Sequence, residues 1–75
     1  MILRTGGHLT FFMPGKMNLL EFNLNFPKPL SEILSELNIP LGEVAIIAIN
    51  GDQATLDQIV DQSDEVLIHS IIDGG

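Results

Sequence analysis

The sequence contains no cysteine. Disulfide staples, thiolate metal sites and a cysteine nucleophile are therefore excluded, and a reducing compartment is compatible with the chain. Positive charge is nearly as scarce: Arg4, Lys16 and Lys28 stand against ten acids, for a formal net charge of -7. A protein that grips nucleic acid must neutralise phosphates with cations. This balance argues against a nucleic-acid partner and points to a basic protein surface as the complement. Long apolar runs are missing as well. The longest, Val44 to Ile49, has six residues, far short of the ~20 that cross a bilayer. The opening MILRTGG is broken by glycine too early for a secretory signal. The expectation is an acidic, cytoplasmic protein with no membrane partner.

Apolar residues are plentiful. They make up 45% of the 75 residues, enough for the core of one small domain. Residues 1–7 end in Gly6-Gly7 and are expected to be a flexible lead-in. In HLTFFMP, residues 8–14, Leu9, Phe11 and Met13 alternate with His8, Thr10 and Phe12, which predicts a first strand closed by the turn signal Pro14-Gly15. LLEFNLNF, residues 19–26, alternates Leu20, Phe22, Leu24 and Phe26 against polar neighbours and predicts a half-buried strand in a hairpin with the first. Pro27 and Pro29 break it. Leu30, Ile33, Leu34 and Leu37 then fall at i, i+3, i+4 and i+7, the stripe of an amphipathic helix. The β-branched run VAIIAIN, residues 44–50, predicts a strand buried on both faces, and Asn50-Gly51 a tight hairpin turn toward a brief strand at 53–54. Thr55-Leu56-Asp57-Gln58 fits a capping box and predicts a short helical turn over 56–60. After a polar turn over 61–64, residues 65–72 read as the last strand, with Val66 and Ile68 on one face and Leu67, His69 and Ile71 on the other.

One helix must cover one sheet, and the first and last strands are apolar enough to lie side by side inside it. That order describes an α+β, β-grasp (ubiquitin-like) fold. Its mixed sheet would have four or five strands, with one main helix across one face, a domain over 8–72 and a flexible tail over 73–75. A single helix cannot cover both faces, so Phe12, Leu67, His69 and Ile71 are expected to form an exposed apolar patch of the kind that marks interfaces. The alternative is that they pack under the N-terminal segment or in a dimer.

Candidate catalytic groups are few. His8 and His69 lack a third metal ligand and read as surface or rim residues. Asp61, Asp64 and Glu65 lack the glycine and the twelve-residue frame of a calcium loop. Asp52 belongs to turn chemistry, and Ser31, Ser35, Ser63 and Ser70 have no nucleophile-elbow context. No metal site and no enzyme activity of its own are expected.

Three segments, LSEILSEL, AIIAINGD and SDEVLIHSIIDGG, in this order and at this length, resemble the ThiS/MoaD family of ubiquitin-like sulfur carriers. Ser63-Asp64 stands where that family commonly has Gly-Asp, and Asp73 where it has a small neutral residue. The resemblance implies a carrier with no bound cofactor, whose terminal Gly75 carboxylate is adenylated by an E1-like enzyme that consumes ATP. The adenylate then takes sulfur from a donor, becoming a thiocarboxylate. A sulfur-accepting synthase subunit would draw on it, with molybdopterin-type use favoured over thiamine thiazole. Gly74, lacking a Cβ, and Asp73 would thread the partner's channel. Conjugation to lysine through Gly75, as in ubiquitin-like modifiers, and a plain binding module remain the alternatives.

Overall fold

A computed structural model of the chain describes residues 1–21 and 23–70. Its strands are β1 (Ile2–Gly6), β2 (Leu19–Glu21), β3 (Lys28–Pro29), β4 (Val44–Ile49), β5 (Asp52–Gln53), β6 (Ile59–Val60) and β7 (Glu65–Ser70), with one α-helix, α1 (Leu30–Glu36), between β3 and β4. Five strands form a mixed sheet in the order β2-β1-β7-β4-β5, and β3 pairs with β6 in a separate two-stranded ribbon. The parallel pair is β1 with β7, in register from Ile2↔Glu65 to Gly6↔His69. The domain is therefore α+β, with the first and last strands adjacent at the centre of the sheet.

Alternation sorts the side chains. Leu3 and Thr5 of β1, Ile47 and Ile49 of β4, and Val66, Ile68 and Ser70 of β7 are buried. The apolar members of that set join Leu30, Ile33 and Leu34 of α1 in one core cluster. The predicted helix is present with its stripe facing inward. It stops at a Schellman motif: Asn38 adopts φ +61°, and its N–H bonds Ser35 O at 3.0 Å while Ile39 N–H bonds Leu34 O at 2.9 Å. At the other end Pro29 supplies no side-chain cap. The first free N–H groups of α1 are met from a distance instead, by Leu30 N–H to Gln58 O at 2.9 Å and Ser31 N–H to Leu56 O at 2.8 Å.

Those two bonds correct the short helix expected over 56–60. The carbonyls it would have turned inward along its own axis face α1, and the chain runs on as β6, with Lys28↔Val60 and Pro29↔Ile59 paired. The Thr55 hydroxyl bonds the Asp57 carboxylate rather than capping a helix.

The first strand also lies elsewhere than expected. It is Ile2–Gly6, within the segment read as a lead-in, while Gly7–Phe12 and Pro14–Lys16 are 3-10 turns. Leu9 and Met13 point into the core, whereas Phe11 between them is 60% exposed, a helical spacing that alternation alone misreads. The second predicted strand shortens to Leu19–Glu21. Leu24 is buried, but its N–H goes to the Gln62 side chain at 2.6 Å, and Gln62 Nε2 also donates to Asn23 Oδ1 at 3.2 Å. One side-chain amide thus takes the place of a neighbouring strand. The strand over 44–49 buries one face and not two, because the single helix covers one side of the sheet.

The Asn50-Gly51 turn is as expected. Ile49 pairs with Asp52 across it, and both loop residues have positive φ, +53° and +87°. The Asn50 side chain ties this turn to the polar loop before β7, donating to Asp64 Oδ1 at 2.9 Å and accepting from Glu65 N–H at 3.0 Å. In that loop Asp61 Oδ1 accepts from the hydroxyl of Ser63 at 2.8 Å and from its N–H at 2.9 Å. The hydroxyl first, and then the backbone donor, hold the Asp61 carboxyl below its ordinary pKa. A lowered folded value means that the contribution is complete above the unfolded carboxylate pKa and is lost as pH falls through the folded one. Ser63→Ala is expected to raise the Asp61 pKa part of the way to normal in an NMR titration, and to flatten the acid limb of the stability curve.

Candidate functional site

Of the residues singled out from sequence, Gly75, Gly74, Asp73 and Ile71 lie outside the described residues. What can be built from the described ones is the ground next to them. The face of the sheet opposite the core has no covering element among the described residues. On it the register brings Leu67 beside Ala48 and Arg4, His69 beside Ile46, and Leu19 beside Arg4. Leu67 is 42% exposed and Ile46 58%, on the neighbouring strands β7 and β4, and Leu19, 38% exposed, stands on β2 across Arg4 of β1. Stable folds leave few such groups together without use.

Two ion pairs are formed among the described residues, one of them, Arg4–Glu65, at the edge of this patch. Arg4 Nε meets Glu65 Oε2 at 2.7 Å, and Lys28 Nζ meets Glu36 Oε2 at 2.8 Å. Both pairs have exposed carboxylates and contribute little to stability. They do neutralise two of the chain's three cations. A hollow of about 450 Å³ opens beside Leu67, lined also by Arg4, Ala48, Asn50, Gly51 and Glu65. An apolar floor with an ion-paired edge suits an apolar side chain carried on a basic surface.

The structure brings Leu67 and His69 to this open face as the alternation predicted. Phe12 is placed differently. It sits in the 3-10 turn after β1, half-buried against the core, with its ring edge-on to His8 at 5.9 Å and to Phe11 at 6.0 Å between centroids. It therefore belongs to an aromatic group at the end of β1 and not to the strand row. Ile46 and Leu19 are the members of the patch that the sequence reading did not identify. Ile46 lies in the β-branched run VAIIAIN, whose pattern predicts burial on both faces. Counting the helices was the available signal, since one helix obliges half of that run to face outward.

Among the described residues no group of three His, Cys, Asp or Glu side chains is placed to hold a metal ion, and no helix is long and apolar enough to cross a membrane. The arrangement offers a surface for docking. Compared with known proteins, the chain matches no protein-family model and no curated sequence.

Proposed function

We propose that this chain is a β-grasp sulfur carrier, docked through its open sheet face and activated at Gly75 by an E1-like adenylating enzyme. The observation that carries the reading is the position of β7. It is a central strand, flanked by β1 and β4, and IIDGG follows it in the sequence. Its outward Leu67 is a member of the exposed apolar patch, and His69 lies on the same face. Docking of that patch would therefore bring the chain's last residues to a partner.

The chemistry follows from the terminal group. A C-terminal carboxylate, with an ordinary pKa of about 3.3–3.7, is ionised at neutral pH and is a poor electrophile. Attack of its oxygen on the α-phosphorus of ATP releases pyrophosphate and leaves an acyl-adenylate. Sulfur delivered at the oxidation level of hydrosulfide attacks the acyl carbon, the C–O bond breaks, and AMP leaves with the electron pair. The product is a thiocarboxylate, a soft nucleophile for a sulfur-accepting synthase, with molybdopterin-type use favoured over thiazole. The partner supplies the catalytic groups, and this chain supplies the acyl carbon and the docking surface.

Intact mass measurement after incubation with ATP, a sulfur donor and the adenylating enzyme tests the reading. A gain equal to oxygen-to-sulfur exchange at Gly75 supports it, and the absence of both adenylate and thiocarboxylate removes it. Gly-Gly remnants on lysines of other proteins would reassign the chain to the protein modifiers. Asp73→Ala is expected to alter the rate of activation while the melting temperature stays within about 4 °C, as for substitutions away from a core.

A further inference from the structure

The ladder between β1 and β7 ends at Gly6↔His69. One step later Gly7, at φ +63°, swings its chain out of the sheet into the 3-10 turn. Ser70 is nevertheless held. The backbone N–H of His8 reaches back and donates to Ser70 Oγ at 2.9 Å. A side chain thus takes over where the backbone ladder has stopped.

The contact depends on two glycines. A Cβ on Gly6 would overlap the His69 ring, and one on Gly7 would lie 2.5 Å from Ser70 Oγ and 2.8 Å from His69 Cε1, besides straining a positive φ. His69 Nδ1 is 3.1 Å from Ser70 O, a carbonyl that can only accept, so the tautomer with a proton on Nδ1 suits the contact. The opposite flank is specialised at the same level. The β4–β7 register slips between Val44↔Ser70 and Ile46↔His69, placing an extra β4 residue against the end of β7. Bulges of this kind bend a strand and re-aim it. Both neighbours of β7 therefore depart from regular pairing at residues 69–70, immediately before residues 71–75.

We propose that Gly6, Gly7 and His8 form a clasp on His69 and Ser70 that fixes the end of β7 from which the sequence continues into residues 71–75. On the carrier reading, on which this role rests, Gly7 and Ser70 are positioning residues for the chemistry at Gly75. Five residues span at most roughly 17 Å when extended, so the partner's reacting atoms must lie within that distance of the clasp while the open face is docked. A tail launched from a fixed point meets such a site far more often than one launched from a loose strand end.

Ser70→Ala removes the acceptor, and Ser70→Thr retains a hydroxyl at a strand position. Hydrogen exchange and adenylation are measured on the intact chain for both. In Ser70→Ala, exchange at the amides of His8, His69 and Ser70 is expected to accelerate about tenfold more than at Leu3 or Ile47, whose amides track global opening. In pyrophosphate exchange with an E1-like enzyme, kcat is expected to fall about tenfold with KM within about twofold, because docking is untouched and orientation is lost. Ser70→Thr is expected to restore both. Uniform acceleration across core and clasp amides overturns the clasp. Local acceleration with unchanged kcat overturns the positioning role. If the wild-type chain is not adenylated at all, the carrier reading falls, and the exchange result alone decides whether the clasp holds the end of β7.

Discussion

A chain lacking Gly74 and Gly75 is expected to lose adenylation by at least about a thousandfold. An acyl group displaced by even 1 Å from its reacting partner costs around a hundredfold, and two missing residues withdraw it by roughly 7 Å. The same truncation leaves the core cluster intact, from Leu3 of β1 to Ile68 of β7. Its melting temperature is therefore expected to stay within about 4 °C of the full chain. Pyrophosphate exchange and thermal melting on the same two preparations check both halves. The pairing of results separates the proposed classes of function. A carrier or a modifier loses its reaction and keeps its fold, while a plain binding module keeps its partner affinity as well. Retained adenylation in the truncated chain would place the reacting carboxyl elsewhere and remove the role assigned to Gly75.

The parts of the fold legible in sequence are those decided by neighbours in the chain. The stripe of Leu30, Ile33 and Leu34 and the Asn50-Gly51 turn each depend on contacts a few residues away. The inward set Val66 and Ile68 and the outward set Leu67 and His69 follow from alternation within one strand. The misread parts depend on partners far along the chain. Residues 8–14 carry the clearer alternation in sequence, and what selects Ile2–Gly6 as the strand is its pairing with Glu65–His69, some sixty residues away. The Thr55-to-Gln58 pattern favours a helix on local grounds. It is overruled because α1 starts at a proline that brings no cap, and the carbonyls of Leu56 and Gln58 are the acceptors within reach. The open face shows the same division. Leu67 and His69 were found by alternation. Ile46 is exposed for want of a second covering helix, a property of the whole sheet and not of VAIIAI.

The sharpest contrast in the molecule is between two consecutive residues of β7. Ile68 is fully buried, while Leu67 points the other way and is 42% exposed. Ile68→Ala opens a cavity in the core, a change that costs about 2–5 kcal/mol. A domain of this size holds only about 4–11 kcal/mol in total, so the melting temperature is expected to drop by roughly 10–30 °C. Leu67→Asp removes no core contact and is expected to shift melting by no more than about 4 °C. It places a carboxylate in the middle of the apolar patch, and desolvating that group on docking should raise KM for the adenylating enzyme by about 30-fold, the weight of one interface hot spot. Leu67→Lys distinguishes the two forces available to the surface. If the partner is held mainly by the chain's net negative charge, Asp at residue 67 strengthens binding and Lys weakens it. If the partner buries the row of Leu19, Ile46 and Leu67, either charge weakens binding by a similar factor. The exposure of all three side chains on one face of the sheet predicts the second outcome, and a Leu67→Asp chain that binds more tightly than wild type would refute it.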